Sequence, residues 1–243
     1  MAILVFQHHP DESPLVLASV LQGYGQQLRT LKLYARDTVP VDLDDVDGIV
    51  SMGGPMNVED AAKHPWMAAE MAYLKRAHEA GVPIVGICLG CQLIAAAMGG
   101  QVAAMKEPEV GFAGLRLAFP GTIDPIYGGI PWNTMQMHMH GQEVTQLPPG
   151  GTPLAGSAKC KTQAFKVGLT TYAFQYHFEC DRPAVQAFSQ DSLVTKAGAS
   201  ADAIAAQADQ HYDLYRHLGN RLCDNLALLL FPVNKRRPVA VGA

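Results

Sequence analysis

The sequence carries little charge for its length. Only 16% of its 243 residues are Asp, Glu, Lys or Arg, and the formal net charge is -4. A protein that binds nucleic acid needs basic surface to contact the phosphates, and a disordered chain combines high charge with few hydrophobic residues. Because 49% of the residues are hydrophobic, the composition excludes disorder and argues against a nucleic-acid partner.

The sequence also lacks long apolar runs and a cysteine framework. The apolar start, residues 1–7, has no basic leader and is too short for a signal peptide or a membrane helix. Five cysteines, an odd number without framework spacing, are typical of a reducing compartment. We therefore expect a cytoplasmic protein with no membrane partner. We also expect one domain over residues 1–243, since an α/β sheet can absorb that length.

Apolar runs alternate with helical patterns through the first hundred residues. Strands are predicted at residues 2–8, 28–33, 46–52 and 82–87, and helices at 14–22, 66–80 and 89–98. This alternation predicts an α/β fold with a mainly parallel central sheet, helices on both faces and a site at the carboxyl ends of the strands. Short segments separated by Gly and Pro predict an antiparallel β region over residues 101–171. The tail is predicted to be helical at 182–190 and 200–230, with a solvated basic end at 234–238.

A cysteine lies at the corner between the fourth predicted strand and the helix that follows. A residue on such a sharp turn projects its side chain into solvent above the sheet, and the turn requires small neighbours. Gly86 and Gly90 flank Cys88 and meet this requirement. The positive end of the following helix would favour the thiolate. We therefore interpret Cys88 as a nucleophile at neutral pH.

Other interpretations of this cysteine stay open. Cysteine is often buried as an inert core residue. Cys88 and Cys91 also form a C-x-x-C at the start of a helix, which would suit a dithiol redox site. A zinc site is disfavoured because the remaining cysteines, Cys160, Cys180 and Cys223, stand singly.

Two glycines follow the third predicted strand. Gly53 and Gly54, before Pro55, would allow the backbone to turn its amides toward a ligand, an arrangement that suits an oxyanion. An ordinary glycine turn would have the same sequence. The motif therefore indicates an oxyanion site only in combination with a nucleophile.

Histidines form two further patterns. His138 and His140 share one face of a predicted strand, but a metal site would need further ligands, so we predict no metal. His177 and Glu179 are two apart at the end of a strand predicted over residues 172–179, and period-two geometry places them on one face. An imidazole oriented by a carboxylate suits a cysteine enzyme, although a solvated strand edge would show the same spacing.

Three of these motifs together resemble the class I glutamine amidotransferases. They are residues 53–55, 86–92 and 175–179, in the order and spacing of that family. Residues 139–141, 147–150, 154–157 and 163–168 also look like the stretch before the catalytic histidine in the amidotransferase part of GMP synthase. The resemblance implies a flavodoxin-like fold and an enzyme that uses no cofactor.

The resemblance also implies a role for each motif. Cys88 would attack the side-chain amide of glutamine, His177 would be the acid/base and Glu179 would orient it. A glutamyl thioester would form, and water would release glutamate. The backbone amides around Gly54 and of Leu89 would hold the oxyanion. The residues that would help to bind the substrate are Gly53, Gln92 and His140.

The sequence departs from the family pattern at two positions. Members usually have proline between the histidine and the glutamate, where this chain has Phe178, and this change should alter rigidity rather than chemistry. Gln142 replaces an acidic residue, which bears on docking to a synthetase. No synthetase domain is recognisable, so ammonia is expected to pass to a separate synthetase or acceptor-binding subunit.

Two alternatives to this function remain. The enzyme would act alone if its substrate were another γ-glutamyl amide or peptide, since the same triad serves such a hydrolase. A non-catalytic regulatory relative would be expected to lack a member of the triad, and all three are present.

Overall fold

A nine-stranded sheet organises the computed structural model, which describes residues 1–232. The strands are Ala2–Gln7 (β1), Leu28–Lys32 (β2), Val46–Ser51 (β3), Ile84–Ile87 (β4), Gln101–Leu117 (β5), Asn133–Gln146 (β6), Gly151–Ser157 (β7), Ala164–Val167 (β8) and Thr171–Phe174 (β9). Their order across the sheet is β2-β1-β3-β4-β9-β8-β7-β5-β6. The basic end predicted at 234–238 lies outside the described residues.

Helices connect the strands and cover the sheet. They are Leu15–Gly23 (α1), Trp66–Glu79 (α2), Leu89–Ala97 (α3), Phe119–Thr122 (α4), Arg182–Phe188 (α5), Ser192–Lys196 (α6) and Ala201–Asn225 (α7). A π-helix, Leu226–Leu230, continues α7, and 3₁₀ turns lie at Leu33–Ala35, Val58–Ala62 and Pro125–Tyr127. Within residues 1–232, none of the helices has the length and apolar character needed to cross a membrane.

The sheet has a parallel and an antiparallel part that meet at β9. Strands β2, β1, β3, β4 and β9 pair in parallel, and the remaining pairs are antiparallel. The predicted α/β fold, with a parallel sheet and an antiparallel region in the second half, is confirmed. Because β9 pairs with both β4 and β8, it brings the last quarter of the described chain beside β4, the strand that leads into Cys88.

The central strands are covered on both faces by apolar layers. Leu17 of α1 and Leu222 of α7 pack on one face with Val85 of β4. Leu74 of α2 and Leu93 of α3 belong to the apolar layer on the other face. Strands buried on both faces need apolar side chains at every position, which explains why β1 and β4 have continuous apolar sequences.

Strand β9 is shorter than the sequence predicted. It ends at Phe174, not near residue 179, because its neighbour β4 ends at Ile87, the partner of Phe174. Beyond that point the chain crosses toward β6, where the amide of His177 donates to the carbonyl of Met137 at 2.8 Å. The prediction that His177 and Glu179 share one face of a strand is therefore wrong, because both lie beyond the end of β9. Local contacts bring their side chains together instead.

Candidate active site

Cys88 occupies a strained corner between β4 and α3. Its φ of 52° and ψ of -106° are rare for a residue with a side chain. The corner depends on two close approaches of backbone, since a Cβ at Gly90 would collide with the carbonyl of Ser51 and one at Gly86 would collide with the backbone of Gly90. The amide of Gly90 also donates to the carbonyl of Met52 at 3.0 Å. Glycine is therefore required on both sides of the corner, as predicted.

The side chain of Cys88 is less accessible than the sequence suggested. Cys88 is 5% exposed, and it lies at a cavity rather than projecting into open solvent. Its sulfur approaches the carbonyl of Met139 on β6 at 3.6 Å. The antiparallel part of the sheet therefore covers the corner, and the thiol is accessible from the cavity that Cys88 lines.

His177 and Glu179 form a buried hydrogen-bonded pair. Nδ1 of His177 lies 2.8 Å from Oε1 of Glu179, and both side chains are almost fully buried. The second oxygen of Glu179 accepts from the amide of Phe178 at 2.9 Å. A carboxylate at Nδ1 places the proton there, which leaves Nε2 for proton transfer. Within residues 1–232, Nε2 of His177 has no hydrogen-bond partner in the structure.

The charge state of His177 suits a partner of a thiol. Burial by itself would lower the pKa of His177. The charge of Glu179 and the neighbouring side chains of Cys180 and Cys88 instead hold that pKa well above 6.5. An imidazolium beside a sulfur stabilises the thiolate. The fold therefore brings Cys88, His177 and Glu179 into one site.

The glycine loop after β3 is held by a buried polar chain. Nδ1 of His8 lies 3.1 Å from the carbonyl of Gly53, and its Nε2 lies 2.8 Å from Glu70 on α2. Ser51 donates to the other oxygen of Glu70 at 2.6 Å. Both neighbours of the imidazole are acceptors, so His8 donates from both nitrogens. Burial lowers its pKa, but Glu70 more than offsets this, and the pKa of His8 is raised.

The two residues predicted at the oxyanion lie next to each other. A Cβ at Gly54 would meet the side chain of Leu89 and the Cβ of His8. Leu89 itself is fully buried and begins α3, immediately after Cys88. The glycine loop and the start of α3 therefore converge beside the sulfur.

A cavity of about 630 Å³ opens above the corner. Its lining includes four of the predicted site residues, Gly54, Cys88, Gln92 and His140. Gln92 donates to Gln175 at 3.1 Å, and Nδ1 of His140 lies 2.9 Å from the carbonyl of Gln142. Gly53 is not among the lining residues, and its carbonyl is instead held by His8.

Cys91 differs from Cys88 in its surroundings. It is fully buried, and burial holds the pKa of its thiol well above its ordinary value. It belongs to the apolar layer of α2 and α3, whereas Cys88 belongs to the layer on the other face of the sheet. A dithiol redox pair requires both sulfurs to be reactive toward each other, so these surroundings favour a packing role for Cys91.

Two buried clusters in the described part of the chain have the donor atoms for a metal ion, and one of them is His177, Glu179 and Cys180 of the site above. The other lies on β5 and β6. Glu109, His138 and His140 offer ligand atoms within 4.8 Å of one another, and Glu109 is the third ligand that the sequence did not reveal. Its Oε2 already accepts hydrogen bonds from Ser157 at 2.8 Å and from Gln163 at 2.7 Å. Protein donors therefore already occupy this oxygen, and the absence of a metal stays a prediction.

Two carboxylates near the site were missed by sequence reasoning. Glu70 lies three residues after Met67 on the buried face of α2, and a carboxylate on an apolar face is a signal in itself. Glu12 follows the carboxyl end of β1, the edge of a parallel sheet at which ligands bind, and it lines the cavity with Cys88.

Comparison with known proteins agrees with this geometry. A family model described as glutamine amidotransferase class-I matches residues 16–187. A glutamine amidotransferase-like protein of Salmonella typhimurium is 29% identical over 188 residues, which cover 76% of this chain and 78% of the relative. The glutamine-hydrolysing GMP synthase of Natronomonas pharaonis has a subunit that is 34% identical over 149 residues, 61% of this chain and 73% of the relative. The crystal structure of a glutamine amidotransferase from Methylobacillus flagellatus superposes with a TM-score of 0.82 at 25% identity and covers 94% of this chain and 93% of that one.

Proposed function

The chain belongs to the class I glutamine amidotransferases and is an enzyme of that class, and we propose that it hydrolyses the side-chain amide of glutamine through Cys88, His177 and Glu179. One observation carries this assignment. Nδ1 of His177 is bound by Glu179 at 2.8 Å, and its buried Nε2 has no partner within residues 1–232, while the Cys88 thiol is among the groups that face this ring.

The first half of the reaction forms a thioester. The thiolate of Cys88 attacks the amide carbon, and the carbonyl electrons move onto oxygen, where the amides around Gly54 and of Leu89 stabilise the charge. The carbon–nitrogen bond then breaks. The departing nitrogen takes the proton from Nε2 of His177, and ammonia leaves.

The second half regenerates the enzyme. Neutral His177 takes a proton from water as the oxygen attacks the thioester carbon. The carbon–sulfur bond breaks, glutamate is released, and the sulfur departs as the thiolate beside the imidazolium. Glu179 holds the ring in one tautomer throughout and stabilises its positive charge.

Two functions fit this chemistry, and they differ in the leaving group and in what becomes of it. The relative from Natronomonas pharaonis is named as one subunit of GMP synthase, which supports transfer of ammonia to a separate synthetase or acceptor-binding subunit. The second candidate is a hydrolase that acts alone on γ-glutamyl amides or peptides. The cavity favours it, because its 630 Å³ extends past the thiol to Leu193 and Lys196 of α6 and has room for a larger leaving group.

The five free cysteines support a reducing, cytoplasmic location for either function.

The purified chain tests the proposal directly. We expect it to release ammonia and glutamate from glutamine, or an amine from another γ-glutamyl compound, and we expect Cys88→Ser to abolish this release. Addition of a co-purified synthetase distinguishes the two fates of ammonia, because only a transferase would pass nitrogen to a second product. The proposal is wrong if no γ-glutamyl substrate is hydrolysed or if Cys88→Ser retains the activity.

A further inference from the structure

Glu12 lies in the active-site cavity, and the mechanism above gives it no role. It follows β1 on the loop that leads to α1, and it lines the same cavity as Cys88. Its Oε2 atom is buried and has no hydrogen-bond partner within residues 1–232. A buried carboxylate oxygen without a donor is costly, so this oxygen is suited to a ligand that brings an N–H or O–H group.

Glu12 also lies against the glycine loop. A Cβ at Gly53 would collide with the Glu12 carboxylate, so the missing side chain of this glycine makes the space that the carboxylate occupies. The loop in turn is held by His8. The position of Glu12 is therefore defined by the same elements that build the predicted oxyanion site.

The charged groups that face Glu12 come from several elements. They are His177, Glu179, His8 and Asp11, in decreasing order of their effect. Burial raises the pKa of Glu12, the two histidines oppose this increase, the two carboxylates add to it, and the resulting pKa is about 7. The amide of Val16, four residues after Glu12, donates to the carbonyl of Glu179 at 3.3 Å, so this loop lies on the side of the acid/base. Among the charged groups, His177 also acts most strongly on Glu12.

That side of the site is where the leaving group must lie. The departing nitrogen takes its proton from Nε2 of His177, so it must come within hydrogen-bond reach of that atom. We propose that Glu12 forms a leaving-group subsite, in which its carboxylate accepts a hydrogen bond from an N–H of the departing amide nitrogen. This inference rests on the proposed function, and it assigns the subsite to leaving groups that are ammonia or an amine.

The role of Glu12 leaves the proton balance of the reaction unchanged. His177 first gives its proton to the nitrogen of the tetrahedral intermediate, which becomes a positively charged ammonium. The carbon–nitrogen bond then breaks with its electron pair on nitrogen, and neutral ammonia or amine leaves. The ionised carboxylate of Glu12 stabilises the ammonium before this cleavage and transfers no proton.

A pair of substrates with one acyl group separates this role from a structural one. Glutamine and glutamate γ-methyl ester form the same thioester, but the ester oxygen carries no hydrogen of its own. We expect Glu12→Gln to lower kcat/KM for glutamine about ten- to hundredfold, the value of one hydrogen bond to a charged group. The kcat/KM for the ester should change by less than about twofold.

Control variants and the pH dependence complete the test. Asp11→Asn removes a charge from the same loop, and it should leave the ratio of the two substrates unchanged when both proteins are assayed well above pH 7, where Glu12 is ionised in each. If Glu12→Gln does not fold, Glu12→Asp keeps the carboxylate but withdraws it by one methylene, and it should show a smaller loss confined to the amide. In the wild type, kcat/KM for glutamine should rise with pH through about 7 as Glu12 ionises. In Glu12→Gln this rise of kcat/KM should be missing.

The outcomes separate the inference from the function on which it rests. If the wild type hydrolyses both substrates and the Glu12 variants slow them equally, or slow neither, the leaving-group subsite is wrong and the glutamine hydrolase stands. If the wild type hydrolyses neither substrate, the proposed function fails, and the subsite fails with it.

Discussion

The backbone amide of Cys88 donates a hydrogen bond to the carbonyl of Phe174 at 2.8 Å. Phe174 ends β9, and His177 follows three residues later. The backbone amide of His177 donates a hydrogen bond to the carbonyl of Met137 on β6. One hydrogen bond thus joins the corner of the proposed nucleophile to the strand that leads to the proposed base. Sheet pairing positions both residues, which is the rigid support that the proposed roles require.

The members of the triad should differ in what their loss costs. His177→Ala should lower kcat about a thousandfold or more, since proton transfer by a positioned group is worth roughly 10²–10⁴. Glu179→Gln should cost less, because the imidazole remains and loses its orientation and the charge that stabilises it. Steady-state hydrolysis of glutamine by the two variants measures the difference.

The same variants test whether His177 and Cys88 are a pair. His177→Ala should shift the pH profile of iodoacetamide labelling at Cys88 to higher pH, because the imidazolium lowers the pKa of a neighbouring thiol. Mass spectrometry of the Cys88 peptide follows this residue alone, and Glu179→Gln should shift the profile less. An unchanged profile in His177→Ala would show that the two side chains do not interact.

Cys91 should be dispensable for the chemistry. Cys91→Ala removes a fully buried thiol from the apolar layer of α2 and α3, so we expect a loss of about 1 kcal/mol in the free energy of unfolding and little change in kcat. Cys88→Ser, the matched variant one helical turn earlier, should be inactive and fold normally. The redox alternative would be favoured if both variants lost activity equally and if the wild type formed a reversible disulfide between Cys88 and Cys91.

The buried pair of His8 and Glu70 should support the glycine loop. Glu70→Gln leaves the His8 imidazolium without its charged partner, which typically costs about 3–5 kcal/mol. Hydrolysis of glutamine should also slow, because His8 holds the carbonyl of Gly53. Glu79→Gln, an exposed position on the same helix, is the control and should affect neither property.

The contribution of this pair should depend on pH. Because the folded-state pKa of His8 is raised above 6.5, its stabilisation is fully present below 6.5 and is lost as pH rises through the folded pKa. The difference in unfolding free energy between the wild type and Glu70→Gln should therefore shrink above pH 6.5. Urea unfolding across pH 5.5–9 would measure it, and a difference that grows with pH would contradict this assignment.

Much of the fold and of the site could be predicted from local sequence. The apolar runs of β1 and β4 predict buried parallel strands, since strands covered on both faces need apolar residues at consecutive positions. The corner at Cys88 is predictable because Gly86 and Gly90 are the only residue type that the backbone contacts there admit. The apolar runs and the two glycines can be read in the sequence alone, whereas the contact of Gly90 with Ser51 that requires glycine is made by the fold.

The tertiary structure decided which distant residues meet. Pairing of β9 with β4 brings His177 to Cys88 across 89 positions of sequence, and the end of β4 at Ile87 shortens β9 to Phe174. The tertiary structure also brings Glu70 into a buried contact with His8 and Glu12 to the cavity of Cys88, and neither contact is between neighbours in the sequence. A carboxylate acquires its charge state and its role from the atoms that exclude water around it, and those atoms are supplied by the fold.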